Sequence, residues 1–395
     1  MAVSDRFSAR VSTKLEVPSP GLFANDDMGH EGNVTITRLP AHGMYRPGGA
    51  GGGDFSYEPI SGFVGVDEFE YCIAKGAAGT DCASDPATVT IRVGGPAVTR
   101  IAGVDRYEGA VKIAERTHPT TSLGLVVASG ENYPDALSAG PVAAKAGVPM
   151  LLVQKGAVPT STAAKITSLK PMSVTVVGGV NTISDAVIAD IKTLLPAGAT
   201  VTRVAGADRY EVSRKIAQSF GTSKHDYLTT GTNFPDALSS GAAAGAAGEP
   251  VLLVDGRQSS ADSATLATIT GLNSTSLTIA GGSDSLSSGI ENSLKARVAT
   301  TRVQGVDRYA TSVELNKAAF TTAKTAYLAT GTNYPDALVG GVIAAANKAP
   351  LYVVPGNCVP QPVLDEFTRL GTTNVVLLGG TNSLSPEVEN LVACR

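Results

Sequence analysis

One nine-residue stretch, Thr-Arg-x-x-Gly-x-Asp-Arg-Tyr, occurs three times, at Thr99–Tyr107, Thr202–Tyr210 and Thr301–Tyr309. The same landmarks follow each copy in the same order. An Asn-aromatic-Pro-Asp-Ala-Leu segment comes first (Asn132–Leu137, Asn233–Leu238, Asn333–Leu338). A Pro-led apolar run follows (Pro149–Val153, Pro250–Val254, Pro350–Val354), then an apolar run closed by Gly178-Gly179, Gly281-Gly282 or Gly379-Gly380. The period is about a hundred residues, the size of a small domain and not of a solenoid unit. The chain is therefore constrained to three like modules, behind a leading segment that lacks the motif.

Within a module, apolar runs alternate with helical patterns. In the first copy Val98–Ala102 reads as a strand, and Asp105 suits the N-cap of a helix with Tyr107, Val111 and Ala114 on one face. Leu123–Ala128 lacks alternation, as expected of a strand buried on both faces. Pro134 fits the first turn of a helix running to Gly147. Strands at Met150–Val153 and Val174–Val177 flank a helix at Thr162–Leu169, and Ser184 caps a last helix, as Ser385 does in the third copy. This β-α alternation predicts a parallel sheet with helices on both faces. The second helix of each copy is almost entirely Ala, Gly and Ser (Ala136–Gly147, Ala237–Gly248, Ala337–Ala349). Glycine there lowers helix propensity, so close backbone approach is expected, either onto the module's own sheet or against the matching helix of the next module, closing a ring.

Residues 1–95 read differently. Thr13–Val17, Asn33–Arg38, Asp54–Tyr57, Glu68–Ile73 and Thr88–Val93 are short strand-like runs separated by Gly-, Asp- and Pro-rich turns, including Gly48–Gly53. That pattern predicts a β-sandwich. Asp26 and Asp27 read as turn carboxylates. The four cysteines fall in two local groups, Cys72 with Cys82 and Cys358 with Cys394, with no zinc spacing. Two disulfides and an extracellular home follow as the expectation, and Lys75–Thr80 becomes the tip of the hairpin that the first would tie. The N-terminus, Met1–Phe7, carries no leader-like apolar stretch, so export requires either a leader already removed or another route.

Charge narrows the partners. Residues 1–95 hold 12 acidic and 7 basic side chains, leaving 23 and 24 for the repeats. A near-neutral repeat region argues against nucleic-acid binding by bulk charge; an anion would have to be held by placed arginines. His30, His42, His118 and His225 are the only histidines and none recurs between copies. No His-Glu-x-x-His, nucleophile elbow or phosphate loop is present, so no catalytic, metal or cofactor site is expected. The candidates for ligand contact are the triplicated polar residues: Arg100, Arg203 and Arg302; Arg106, Arg209 and Arg308; Asn132, Asn233 and Asn333; Asp135, Asp236 and Asp336. The Asn-aromatic-Pro-Asp turn follows a strand, at the carboxyl edge where open α/β sheets bind ligands. Arg106 has a second reading, as the partner of Asp135 or of its counterpart in the next module.

The three copies resemble the type 2 cell wall-binding repeat of Gram-positive surface proteins. Residues 1–95, through Gly21–Asp26, Leu39–Gly43, Phe55–Pro59 and Gly62–Tyr71, resemble bacterial Ig-like or cadherin-like modules. The resemblance implies a multidomain chain: an all-β Ig-like sandwich (1–95) and three Rossmann-like α/β modules (96–198, 199–298, 299–395) in a pseudo-threefold arrangement. It further implies a non-enzymatic anchor that grips an anionic secondary wall polymer at the cell surface, the leading module acting as spacer or adhesive unit. Two other classes stay open: a wall hydrolase of amidase type, and a surface-layer or phage-particle protein whose repeats bind protein.

Overall fold

The computed structural model describes residues 2–9, 11–26, 32–49, 53–75 and 81–394; Asp27, the centre of the Gly48–Gly53 turn and the 76–80 hairpin tip lie outside them. The chain divides into two compact units, Met1–Pro96 and Ala97–Arg395.

The first unit contains β1 (Asp5–Ala9), β2 (Leu15–Val17), β3 (Gly32–Arg38), β4 (Gly43–Pro47), β5 (Phe55–Pro59), β6 (Gly65–Lys75) and β7 (Ala87–Val93). They form two sheets, ordered β1-β7-β6-β3 and β2-β5-β4; β1 runs parallel to β7 and the other pairs are antiparallel. Strands β1 and β4 are additions to the sequence expectation. Each is short and polar, and β4 ends at Pro47, which only an edge strand tolerates. The core holds Leu22, Phe55, Tyr57, Phe69, Tyr71, Val89 and Ile91. Asp67 is buried within it and fully occupied: Tyr57 Oη donates to it at 2.7 Å, and the Ala41 and His42 amides donate at 2.8 Å each. The Cys72–Cys82 disulfide is formed.

The second unit continues with β8 (Ala97–Ile101), α1 (Arg106–Thr117), β9 (Gly124–Ser129), α2 (Ala139–Ala146), β10 (Met150–Val153), α3 (Thr160–Leu169), β11 (Ser173–Val177) and α4 (Asp185–Thr193). The second copy gives β12 (Thr200–Val204), α5 (Arg209–Gln218), β13 (His225–Thr230), α6 (Pro235–Ala247), β14 (Val251–Val254), α7 (Ser263–Gly271), β15 (Ser276–Ala280) and α8 (Ser288–Lys295). The third gives β16 (Ala299–Val303), α9 (Arg308–Ala319), β17 (Thr325–Thr330), α10 (Pro335–Ala346), β18 (Leu351–Val354), α11 (Gln361–Leu370), β19 (Asn374–Leu378) and α12 (Pro386–Glu389). Three four-stranded parallel sheets result, ordered β10-β9-β11-β12, β14-β13-β15-β16 and β18-β17-β19-β8.

The strand that opens each sequence repeat therefore completes the preceding sheet. β12 pairs with β11, β16 with β15, and β8, from the start of the first copy, pairs with β19 near the end of the third. Chain connectivity accounts for the first two; the third closes the unit into a ring. Helices α2, α6 and α10 each pack against both others. Their glycines permit this: a Cβ on Gly245 would lie 2.8 Å from the Ala345 Cβ and 3.3 Å from the Ala144 Cβ. One buried apolar cluster runs through all three copies.

Two local expectations are corrected. The segment after Pro134 begins as a 3-10 turn (Ala136–Ser138) and becomes α-helical only at Ala139, whereas α6 and α10 start at their prolines. Pro141 is the cause, because its ring would clash with the Leu137 carbonyl in a continuous α-helix. Ser385 does not cap α12, and its hydroxyl is buried without a partner. The Val388 amide that Ser385 would cap is already taken by the Ser385 carbonyl at 3.1 Å. Ser184 caps α4 as expected, through the Val187 amide.

Candidate functional site

Each sheet reverses its strand order beside its first strand: the chain goes from β9 to β10 on one side, then to β11 on the other. Such a switch point leaves a crevice at the carboxyl ends. The Asn-aromatic-Pro-Asp turn lies at the end of β9 and Gly178-Gly179 at the end of β11. Asp135 crosses between them and accepts from Thr182 Oγ1 at 3.0 Å. Asp336 accepts from Ser383 Oγ at 3.2 Å, and Asp236 from the Ser285 hydroxyl. Gly178 has φ +122°, and a Cβ there would lie 3.1 Å from Asp135 Oδ2; at Gly281 and Gly379 the distances to Asp236 and Asp336 are 2.4 and 2.3 Å. The first Gly of each pair thus makes room for the carboxylate. The hydroxyl residues Thr182, Ser285 and Ser383 were missed in the sequence reading, although their recurrence behind each Gly-Gly was the signal for them.

The Asp-Arg-Tyr triplet comes from the following copy. Asp105, Asp208 and Asp307 cap α1, α5 and α9 through backbone amides. Tyr107 is buried, and its ring explains Gly130, where a Cβ would lie 2.5 Å from Tyr107 Cε1. Arg209 and Arg308 donate through Nη1 to the Gly231 and Gly331 carbonyls at 2.7 Å; Arg106 donates likewise to Gly130. These arginines form no ion pair among the described residues. The charge of each instead acts on the carboxylate of the preceding module: Arg209 on Asp135, Arg308 on Asp236, and Arg106 on Asp336. The carboxyl on which the Arg106 charge acts is that of Asp336, the counterpart of Asp135 in the third module. Burial holds all three carboxyls above their ordinary value, against the opposing pull of the hydroxyls and arginines.

The other arginine of the motif has a different setting. Arg100 donates to the Gly379 carbonyl at 2.8 Å and pairs with Glu389 at 3.0 Å. Arg203 bonds the Gly178 and Ile183 carbonyls and Asp185; Arg302 bonds the Gly281 and Leu286 carbonyls and Glu291. All three guanidiniums are engaged across the module junction. Tyr133, Phe234 and Tyr334 meet at the centre of the ring, with centroids 5.3–5.9 Å apart. Each leans toward the next copy: Tyr133 Oη donates to the Thr232 carbonyl, Phe234 lies under Arg308, and Tyr334 bonds the Gly130 carbonyl. Asn132, Asn233 and Asn333 remain exposed beside them.

At the second junction these residues border a cleft of about 220 Å³, lined by Asn233, Asp236, Asp284, Ser285, Asp307 and Arg308. Val306 on its rim is 99% exposed, and Val104 at the matching position is 94% exposed. The arrangement sets one cation, amide and hydroxyl groups and an apolar rim beside three carboxylates. Among the described residues no group of three or more His, Cys, Asp or Glu is placed to hold a metal, and no helix is long and apolar enough to cross a membrane.

The profile of cell wall binding domain 2 matches residues 100–188, 203–291 and 302–389. The chain belongs to this family. Its three cell wall binding domain 2 repeats start at the engaged arginines Arg100, Arg203 and Arg302. The chain is 27% identical over 293 residues to the N-acetylmuramoyl-L-alanine amidase LytC of Bacillus subtilis strain 168, covering 74% of this chain and 57% of that one. It is 28% identical over 294 residues to the amidase enhancer of the same organism, covering 74% and 40%. The chain thus spans about half the length of these relatives. Among solved structures, Cwp6 from Clostridium difficile aligns over 98% of this chain and 67% of its own, with TM-score 0.69 and 20% identity. Cwp8 from the same organism aligns over 99% and 68%, with TM-score 0.68 and 19% identity. Both share the fold.

Proposed function

We propose that the protein is a non-enzymatic anchor held at the cell surface by an anionic wall glycopolymer, which its three module junctions grip. One observation carries this reading: the approach of an Arg from one module to the Asp turn of the module before it recurs at each closure of a three-membered ring, with a cleft beside the second. Three linked weak sites on a repeating polymer multiply apparent affinity without any new contact. Arg106, Arg209 and Arg308 meet the anion, while Asn132, Asn233 and Asn333 supply exposed amides. Asp135, Asp236 and Asp336 order the turn and orient the arginines. Arg100, Arg203 and Arg302 take the supporting role that their engagement across the junction suits. Residues 1–95 act as an Ig-like or cadherin-like spacer or adhesive module, with the repeats at 96–198, 199–298 and 299–395. Two disulfides support an oxidising, extracellular setting.

The test is sedimentation of the full chain with purified Gram-positive walls, before and after hydrofluoric acid removes phosphodiester-linked polymer. Wild type should sediment only with untreated walls. The Arg106→Ala, Arg209→Ala, Arg308→Ala triple variant should stay in the supernatant with an unchanged circular dichroism spectrum. Full retention of that variant would sink the junction reading. Release of peptide or sugar from the walls would favour an amidase-type hydrolase, and self-assembly without walls a surface-layer or particle protein.

A further inference from the structure

One departure from threefold repetition is on the opposite edge of the third sheet. The amino ends of β17 and β19, the middle of β8 and the turn before β18 enclose a cleft of about 400 Å³, within the usual range of small-molecule sites. In the second sheet the matching volume is filled. His225 pairs in register with Ser276, bonds Ser276 Oγ at 2.7 Å and Thr278 Oγ1 at 2.9 Å, and packs edge-on against Tyr227. In the first sheet Val148 closes it, since even a Cβ on Gly124 would lie 2.9 Å from Val148 Cγ1. In the third, Thr325 stands where His225 does and pairs with Asn374, while Ala349 takes the place of Val148 and Glu249. The space is left open, and the carboxylates near it in the second module, Asp226 and Glu249, are replaced by Ala326 and Ala349.

The lining is then one-signed. Lys324 and Lys348 border the cleft, no carboxylate does, and neither lysine forms an ion pair among the described residues; Lys324 Nζ lies 3.5 Å from the Gly371 carbonyl. The floor is Tyr327, which is 3% exposed. Its hydroxyl lies 2.7 Å from the side-chain amide of Asn347. Thr99, Thr325 and Asn374 add neutral polar groups around it. Two ammonium groups over a phenol, a threonine pair and an amide match a sugar that bears one phosphate or carboxylate.

We propose that this cleft is a separate, non-repeated binding site for an anionic sugar. The site stands independently of the junctions and of what they bind. Isothermal titration of the full chain with glucose 6-phosphate, glucuronate, glucose and inorganic phosphate tests it. At least one of the two anionic sugars should bind saturably, glucose and inorganic phosphate should bind more weakly, and the junction triple variant should bind as wild type does. Lys324→Ala with Lys348→Ala should weaken the anionic sugar by about tenfold or more. Thr325→His, which refills the cleft as His225 does in the second module, should abolish binding; an unchanged far-ultraviolet spectrum and melting temperature show whether it folds, and the lysine variant decides the matter if it does not. Absence of saturable binding by both anionic sugars overturns the proposal. So does inorganic phosphate binding as tightly as the sugars, or undiminished sugar binding by the lysine double variant.

Discussion

Arg203 and Arg209 sit six positions apart in one motif and do different work. The Arg203 side chain is 18% exposed and satisfies two carbonyls and Asp185 across the junction. Its replacement by Ala strands those carbonyls, and a loss of about 2–3 kcal/mol is expected from the shift in urea midpoint. Arg209 bonds one carbonyl, so Arg209→Ala should be milder, about 1 kcal/mol, while acting on wall sedimentation. Asp5 makes a second case. Asp5 Oδ2, Asp26 Oδ2 and the Leu22 carbonyl all lie within 3.0 Å of Tyr71 Oη, which has one proton to give. Burial raises the Asp5 carboxyl to about 6; the Tyr71 bond opposes this and the Asp26 charge adds to it. The folded state therefore binds a proton that the unfolded chain has released. The contribution of Asp5 to stability is complete below the unfolded value of 3.8 and is lost as pH rises through 6. Asp5→Asn should flatten that pH dependence in the calorimetric transition of residues 1–96 and raise its midpoint at neutral pH. An unchanged slope between pH 4 and 7 would count against the assignment.

At the scale of elements, the small-residue helices decide how closely the modules approach. Gly245 has no room for a side chain, so Gly245→Val should destabilise the ring by about 2–3 kcal/mol through overpacking. At Gly271, in α7, a Cβ would have nothing within 4 Å; Gly271→Ala should stabilise by about 0.5–1 kcal/mol through helix propensity alone. Chemical denaturation of both variants checks the pair. Most of these elements could be read from apolar runs, prolines and caps, because those signals act over one helical turn. Pro141 was equally visible in the sequence; its effect on the turn four residues earlier was not drawn from it. The failed cap at Ser385 depends on a backbone bond inside a one-turn helix, which no side-chain pattern reports.

Across the whole molecule, closure joins the two ends of the repeat region. β8 supplies the edge of the sheet that holds β19, 277 residues later (374 − 97). A chain truncated to begin at residue 102 should lose amide-exchange protection in Asn374–Leu378, while one that begins at residue 97 keeps it. Equal protection in the two truncations would show that β8 is dispensable. Cys358–Cys394 secures the same region, bridging a separation of 36 residues beside the short α12. Its removal by Cys→Ser substitution should cost about 3–4 kcal/mol on the loop-entropy estimate, read as a lower melting temperature.

The sequence by itself determined the module: three copies, alternating strands and helices, the aspartate caps, the two cysteine pairs and the close-packing helix. These are encoded locally or by repetition. The tertiary structure alone decided which sheet each opening strand joins, because a half-exposed edge strand carries no mark in its own residues of the strand beside it. It also separated two arginines of one motif, since the carbonyls that engage Arg100, Arg203 and Arg302 lie in the preceding module. The polar cleft of the third module appears only when three folded copies are compared, because a pocket is defined by what fails to fill it.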